Sequence, residues 1–309
     1  MKPVLPFLEI MLTQVCNLSC HGCSTYSDYR HQGYADWSTT HHWLQQWLEK
    51  ISIEDIGFMG GEPLINPHVL TWLTGVRELL PNSRIRFPTN GLLLEKHWKV
   101  VEWLYQDGNA VLKITDHTGN IDSVLARLRS NYTWTPIHEY GLDRWITDTG
   151  LRLQVNTPTK FTQTFQGTYT NMQPWQSDPN LAYANCHQAT CPMLWKGRIY
   201  KCSTSALAQE AWSAHGGANA EAWKEYFDHA ANGSIDLQSD PTAISHFAEN
   251  FGHVHAICKH FVMTTSPSCF CKCTHKQKKL LSDVFRKFQL LTVSIRPLRI
   301  HRRKFECVV

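Results

Sequence analysis

Two hydrophobic periods alternate along the first half of the chain. Short apolar runs typical of buried strands are separated by longer segments in which apolar residues recur every three or four positions, as on one face of a helix. This alternation predicts an α/β fold with a parallel sheet and right-handed crossover helices. The predicted strands are residues 7–12, 55–59, 84–88, 111–115 and 151–155, and the predicted helices are residues 38 or 39 to 51, 67–80, 94–106 and 121–131.

The alternation stops near Thr157. Residues 157–185 are rich in Thr, Gln, Asn and Pro, a composition that indicates a long connection. Beyond it, residues 194–195 and 198–200 flank Lys196-Gly197 and are predicted to pair as a β-hairpin. The pattern therefore predicts a large α/β unit followed by a smaller one of different character.

The first unit contains a compact cysteine triplet directly after its first strand. Cys16, Cys20 and Cys23 have the spacing C-x3-C-x2-C. Iron-sulfur cubanes are normally held by four thiolates, so three indicate an iron whose fourth corner is taken by a small molecule. Zinc is the alternative, because Cys20 and Cys23 can pair with a second knuckle among the 11 cysteines.

A glycine-rich segment follows the second predicted strand, 37 residues after Cys23. Its glycines allow the backbone to approach a ligand closely, its glutamate offers a carboxylate to a cationic ammonium, and its proline stiffens the exit. The third and fourth predicted strands also end in polar residues. The candidate ligand-binding residues of these three segments are Gly60, Gly61, Glu62, Pro63, Asn90 (in Thr89-Asn90-Gly91) and Thr115.

The triplet, the GGEP segment and the TNG segment, in this order and spacing, resemble the radical S-adenosylmethionine (radical SAM) superfamily. The resemblance implies a partial (β/α)6 TIM-like barrel, open on one side, with a [4Fe-4S] cluster on Cys16, Cys20 and Cys23. SAM would chelate the open iron through its amino and carboxylate groups. The GGEP loop would hold the amino group, while Asn90 and Thr115 would line the pocket.

The activity implied by this resemblance is reductive cleavage of SAM to methionine and a 5′-deoxyadenosyl radical, which abstracts a substrate hydrogen. Flavodoxin or ferredoxin would supply the electron. The reaction type is an isomerisation or another functionalisation or oxidation of a C–H bond. The sequence indicates no catalytic acid or base.

A second cysteine group begins at Cys186, with the run C-x10-G-x4-C that ends at Cys202. This run is similar to the opening of the SPASM and twitch extensions of radical SAM enzymes, where a hairpin carries ligands of an auxiliary [4Fe-4S] cluster. The later spacing departs from the SPASM arrangement, which favours one auxiliary cluster. Zinc binding by the CFCKC segment is the alternative. Two further ligands are expected from Cys258, Cys269, Cys271 and Cys273.

Domain bounds follow from these motifs. The prediction is a barrel over residues 1–160, an auxiliary-cluster region over residues 161–275 and a basic tail over residues 276–309. No apolar run approaches the length of a membrane span, and Pro3, Pro6 and Glu9 interrupt the segment where a signal peptide would be apolar. A cytoplasmic protein is expected, in the host cytoplasm if the source is viral.

Charge is unevenly distributed. Residues 272–309 carry eleven Lys or Arg against two acidic residues, a net charge of +9, so the other residues carry −5 of the total of +4. A basic tail favours a polyanionic partner such as nucleic acid, although a solvated tail that aids solubility is an equal alternative.

Three functions are consistent with these features. The first is a radical enzyme acting on a modified nucleobase in nucleic acid, for example isomerisation or hypermodification of a thymine derivative in phage-type DNA. The second is modification of a peptide or small molecule by a SPASM/twitch-type enzyme. The third is a non-catalytic iron-sulfur or zinc protein that binds nucleic acid, against which the GGEP segment argues.

Overall fold

The structure, a computed structural model of the chain, describes residues 2–20, 22–27, 33–139, 141–158, 162–186 and 188–263. The predicted ligands Cys269, Cys271 and Cys273 and the basic residues 276–309 lie outside these ranges. Within them, no helix has the length and apolar character needed to cross a membrane.

A ten-stranded sheet forms the centre of the described molecule. Strands β1, β2, β3, β4 and β7 lie side by side and parallel, and β9 adds to the other edge of β1, again parallel. Antiparallel partners extend both ends, giving the order β11-β10-β9-β1-β2-β3-β4-β7-β6-β5. The strands are β1 (Val4–Thr13), β2 (Ser52–Gly60), β3 (Arg84–Thr89), β4 (Ala110–Thr115), β5 (Thr135–Glu139), β6 (Leu142–Ile146), β7 (Arg152–Asn156), β9 (Met193–Trp195), β10 (Arg198–Tyr200) and β11 (Ser234–Ile235), and β8 (Thr162–Gln163) pairs separately with β12 (Val262–Met263).

Helices connect the parallel strands as the sequence pattern predicts. The α-helices are α1 (Trp37–Leu48), α2 (Val69–Leu79), α3 (Trp98–Asp107), α4 (Asp122–Asn131), α5 (Pro179–Asn185), α6 (Ser203–Ala214), α7 (Ala220–Asn232) and α8 (Pro241–Asn250). The predicted start of α1 at Ser38 or Thr39 is wrong, because Asp36 is the N-cap and its carboxylate accepts from the Ser38 amide. A short 3-10 helix at Pro63–Ile65 precedes α2, which begins after the predicted position.

Register brings the strand ends together at one edge of the sheet. Thr13 of β1 pairs with Gly60 of β2, and Thr115 of β4 pairs with Asn156 of β7. Because parallel strands end on the same side, the loops that follow them converge, as they do at the carboxyl face of α/β barrels. The candidate ligand segments all leave the sheet from this edge.

Two apolar cores lie on opposite faces of the first strands. Leu8 and Ile10 of β1 pack with the helices, around the buried rings of Trp47 and Trp72. On the other face, Met11 belongs to a second core. The second core also contains Tyr26, Met59, Met193, Trp223, Tyr226 and Phe261, so it joins the inner face of the sheet to the segment after residue 161.

The prediction of an α/β fold with a parallel sheet is confirmed, and its arrangement agrees with a barrel-like domain. The predicted hairpin is present as β9 and β10, and its turn residues Lys196 and Gly197 have φ values of 48° and 81°. The β5–β6 hairpin and helices α5 to α8 were not predicted. A separate auxiliary-cluster domain and the boundary at residue 160 stay predictions.

Candidate functional site

The segment after β1 carries Cys16, Cys20 and Cys23, all half-buried. The Leu18 amide donates to Cys16 Sγ at 3.4 Å, and the Cys23 amide donates to Cys20 O at 3.2 Å. Cys23 Sγ lies 3.3 Å from Thr25 Oγ1. Such hydrogen bonds to sulfur tune the reduction potential of a bound cluster.

The GGEP loop lies directly against this cysteine loop. The Gly61 amide donates to Thr13 O at 2.8 Å, and the Glu62 amide donates to Val15 O at 2.9 Å. A Cβ placed on Gly61 would come within 2.3 Å of Val15 O and 2.8 Å of Cys16 Cβ. Real Cβ atoms do not approach so closely, so glycine is required here to admit the backbone of the cysteine loop.

Glu62 connects the GGEP loop to the TNG loop. Its carboxylate is fully buried and accepts from Leu64 N at 3.2 Å, from Thr89 Oγ1 at 2.8 Å and from Asn90 N at 2.8 Å. Burial raises the pKa of Glu62 to about 7, although these hydrogen bonds oppose the rise. The carboxylate therefore changes its charge near neutral pH.

Asn90 connects the TNG loop back to the cysteine loop. Its Nδ2 donates to Asn17 Oδ1 at 2.7 Å, and its Oδ1 accepts from the Leu92 amide at 3.0 Å. The three sequence motifs thus form one hydrogen-bonded group of loops. Asn17 was not among the predicted site residues, and its position directly after Cys16 was the available signal.

Thr115 ends β4 at the same edge and is half-buried. The next residue, Asp116, accepts from the amides of Thr118 and Gly119 and donates its own amide to Asn156 O. The contact of Thr115 with SAM stays a prediction.

The thiols of the first group are not positioned around one ion. No set of three His, Cys, Asp or Glu side chains in the described residues is arranged to hold a single metal ion. Tetrahedral Zn–S bonds of about 2.3 Å would bring the sulfur atoms to within about 4 Å of one another. Burial raises the pKa of Cys16 to about 11, which coordination would reverse, since a coordinating thiol loses its proton.

The second cysteine group is assembled from three segments. Cys186 follows α5, Cys202 lies at the N-terminus of α6, and Cys258 lies in the 3-10 helix Ala256–His260. Burial, together with the neighbouring Cys202 and Cys258, raises the pKa of Cys186 to about 12. Its sulfur accepts from the Gln188 amide at 3.3 Å. Tyr183, three positions before Cys186, donates to Gly252 O in the segment that leads to Cys258, so the segments of these two predicted ligands are in contact.

A threonine joins the two cysteine groups. Thr204 Oγ1 lies 3.1 Å from Ser24 O and 2.9 Å from Gln188 Oε1, so both oxygens are within hydrogen-bond distance of its hydroxyl. Ser24 follows Cys23, and Tyr226 OH donates to Thr204 O at 3.2 Å. Nothing in the sequence pattern pointed to Thr204, because its partner lies 180 positions away.

Comparisons with known proteins agree with this geometry for the first unit. Residues 10–140 match the family model described as "Radical SAM superfamily". No curated protein sequence matches the chain.

Solved structures similar to this chain include a crystal structure of BtrN in complex with AdoMet and 2-DOIA. It is 13% identical with a TM-score of 0.45, and the match covers 87% of this chain and 99% of that one. A structure of selenomethionine BtrN in an open conformation is 15% identical with a TM-score of 0.41, over 84% and 92% of the two chains. At these TM-scores the likenesses carry no conclusion about function.

The matched residues include the cysteine loop, the GGEP and TNG loops and Thr115, and they end before the second cysteine group. Residues 10–140 are therefore similar to the radical SAM superfamily, and the rest of the chain lies outside this match.

Proposed function

We propose that this chain is a radical SAM enzyme, which cleaves SAM reductively and abstracts a hydrogen atom from its substrate. The observation that carries the proposal is the single hydrogen-bonded group formed by the cysteine, GGEP and TNG loops within the family match. A metal-binding protein without catalysis has no need of the two additional loops.

The residues suit the two cofactors that the family implies. Cys16, Cys20 and Cys23 would hold a [4Fe-4S] cluster, and the GGEP loop with Asn90 and Thr115 would hold SAM. When bound, the reduced cluster supplies the electron that divides SAM into methionine and a 5′-deoxyadenosyl radical. A carboxylate has about four acceptor positions. Three described donors use Glu62, which leaves one position for an N–H of the SAM amino group.

The test is SAM cleavage by the anaerobically reconstituted protein. With iron, sulfide, dithionite and SAM, the full chain should release 5′-deoxyadenosine. Cys16→Ala should abolish this product, because the open iron would be lost. A fully loaded cluster that releases none would refute the proposal.

We infer that the second cysteine group holds one auxiliary [4Fe-4S] cluster. Cys186, Cys202 and Cys258 would be three of its ligands, and the fourth would be Cys269, Cys271 or Cys273. Hydrogen bonds from Lys201, which precedes Cys202, to Ala189 O and Phe251 O connect the segments of these three cysteines and support this assignment. The reconstituted chain should then hold about eight irons, and Cys16→Ala about four, as two cubanes require.

For the substrate, we propose a nucleobase in nucleic acid, as in isomerisation or hypermodification of a thymine derivative in DNA, with flavodoxin or ferredoxin as reductant in a cytoplasm. The support is the +9 charge of residues 272–309. Phosphate contacts make binding weaken steeply with salt. Full-chain DNA affinity should therefore fall with increasing salt, and replacing Arg302, Arg303 and Lys304 by Glu should reduce that dependence.

A matched control changes the same charge elsewhere. Replacing Lys96, Lys99 and Lys224 by Glu alters exposed lysines of the described molecule and should leave the salt dependence intact. Equal effects of the two triple variants would remove the argument for the tail. A flat salt response of the unmodified chain would favour the alternative, a peptide or small-molecule substrate.

A further inference from the structure

Lys201 is a buried lysine at the meeting point of three segments. It is 5% exposed and follows β10. Its Nζ donates to Ala189 O at 2.6 Å and also to Phe251 O. One ammonium group therefore binds the backbone of two segments that are distant in sequence from its own.

Each of the three segments carries a cysteine of the second group. Cys202 is the next residue after Lys201, Cys186 lies three positions before Ala189, and Cys258 lies seven positions after Phe251. Lys201 therefore connects the three segments that carry these cysteines.

The ammonium also lies close to these cysteines. Lys201 directly precedes Cys202, and its two carbonyl partners belong to the segments that carry Cys186 and Cys258. Thiolates bound to iron are negatively charged, and an opposite charge close by is worth most where water is excluded.

An uncharged hydrogen bond also connects two of these segments, those of Cys186 and Cys258. Tyr183 OH, just before Cys186, donates to Gly252 O, just after Phe251. Lys201 Nζ lies 5.5 Å from the centre of the Tyr183 ring. Holding carbonyl groups together therefore does not by itself require a cation, whose burial costs free energy.

We propose that Lys201 is a positioning residue for the auxiliary iron-sulfur cluster: it draws the three cysteine segments together and offsets the charge of their thiolates. The inference rests on the auxiliary cluster proposed above. Removing the charge should loosen the cluster and make its reduction harder.

The experiment isolates the second group within the full chain. With Cys16, Cys20 and Cys23 all replaced by Ala, every bound iron belongs to the second group, and about four irons per chain are expected after reconstitution. In this parent, Lys201→Met is compared with Lys201→Arg and with Tyr183→Phe. The readouts are the rate of iron release to a chelator and the midpoint potential from a redox titration followed by electron paramagnetic resonance.

Lys201→Met should release iron about tenfold faster, the lower end of what outer contacts contribute to metal sites. Its midpoint potential should be more negative than that of the parent. Lys201→Arg should behave like the parent, because the charge is kept. Tyr183→Phe should speed iron release without changing the midpoint potential, because it removes a hydrogen bond but no charge.

Two results would overturn the proposal: Lys201→Met equal to the parent in both readouts, or Tyr183→Phe with the same shift in potential as Lys201→Met. If circular dichroism shows that Lys201→Met does not fold, Lys201→Gln gives the neutral comparison, since its amide can still donate to a carbonyl. A parent that binds no iron would refute the auxiliary cluster and this role together, whereas release of 5′-deoxyadenosine by the unmodified chain tests the radical SAM chemistry separately.

Discussion

Glu62 is a carboxylate whose charge depends on its surroundings. In the absence of a cation its burial places the pKa at about 7, so part of the population is neutral at physiological pH. An N–H donated by the bound SAM amino group would favour the ionised form. Binding of SAM and ionisation of Glu62 should therefore be linked.

The first prediction concerns this linkage. The affinity of the iron-loaded protein for SAM should fall as the pH is lowered through about 7, by up to about tenfold per pH unit, because protonating Glu62 weakens it as an acceptor for the N–H of the SAM amino group. Glu62→Gln should bind SAM more weakly and remove this pH dependence. Isothermal titration calorimetry at several pH values measures both effects.

Glu54→Gln is the matched control, because it makes the same change at an exposed position of β2. It should keep the affinity and the pH dependence of the unmodified protein. An undiminished pH dependence in Glu62→Gln would assign the linkage to a different group.

At the scale of elements, helix α3 ends at a glycine that lies close to the connection between β6 and β7. Gly108 has φ of 71°, and its amide donates to Leu104 O. A Cβ there would lie 2.3 Å from Thr149 O, in the turn between β6 and β7. The end of α3 therefore packs directly against the turn that leads into β7.

The second prediction is that Gly108→Ala lowers the free energy of unfolding by more than about 1 kcal/mol, since it combines a left-handed backbone with a clash. Gly141→Ala separates the two causes, because Gly141 has φ of 82° with nothing within 4 Å of its Cβ position. Denaturant unfolding should show a smaller loss for Gly141→Ala. Equal losses would mean that the contact with Thr149 is unimportant.

Local pattern was sufficient for the elements of the first unit and insufficient beyond it. Periodicity identified β1 to β4, β7 and the helices between them, because each buries an apolar face along its own length. Strands β5 and β6 were missed because Arg144 is their one fully buried residue, so apolar alternation is weak. Helix α6 was missed because its small buried residues, such as Ala208, do not mark an apolar stripe.

The site was predictable only where residue types and their spacing form a recognisable ligand-binding motif. Motifs identify Cys16, Gly61 and Glu62. They indicate that Gly61 admits a ligand, whereas the structure places the backbone of Val15 against it. Lys201 and Thr204 were not found. Both act through contacts with segments distant in sequence, and no local pattern records such contacts.

At the scale of the whole molecule, the two cysteine groups belong to one packed body in the described residues. Thr204 is buried and links the segment after Cys23 to the segment after Cys186. The second core connects the same regions through Met11, Tyr26 and Tyr226. Disturbing this contact should affect both groups.

The third prediction is that Thr204→Val lowers the free energy of unfolding of the apo-protein by about 1–3 kcal/mol, since the buried acceptors Ser24 O and Gln188 Oε1 lose a donor. Thr170→Val, at an exposed position, should change it by less than about 0.5 kcal/mol. Denaturant titration measures both, and an unchanged midpoint for Thr204→Val would mean that this link does not stabilise the fold.

The pairing of β9 with β1 has a consequence for how the chain is made. Glu9 pairs with Met193, so one edge of β1 stays uncovered until residues near position 193 have left the ribosome. Contacts so distant in sequence form slowly, and an uncovered strand edge invites pairing with other chains. The yield of soluble protein should therefore depend on the time between synthesis of β1 and synthesis of β9. Slow translation between β7 and β9 should increase aggregation most.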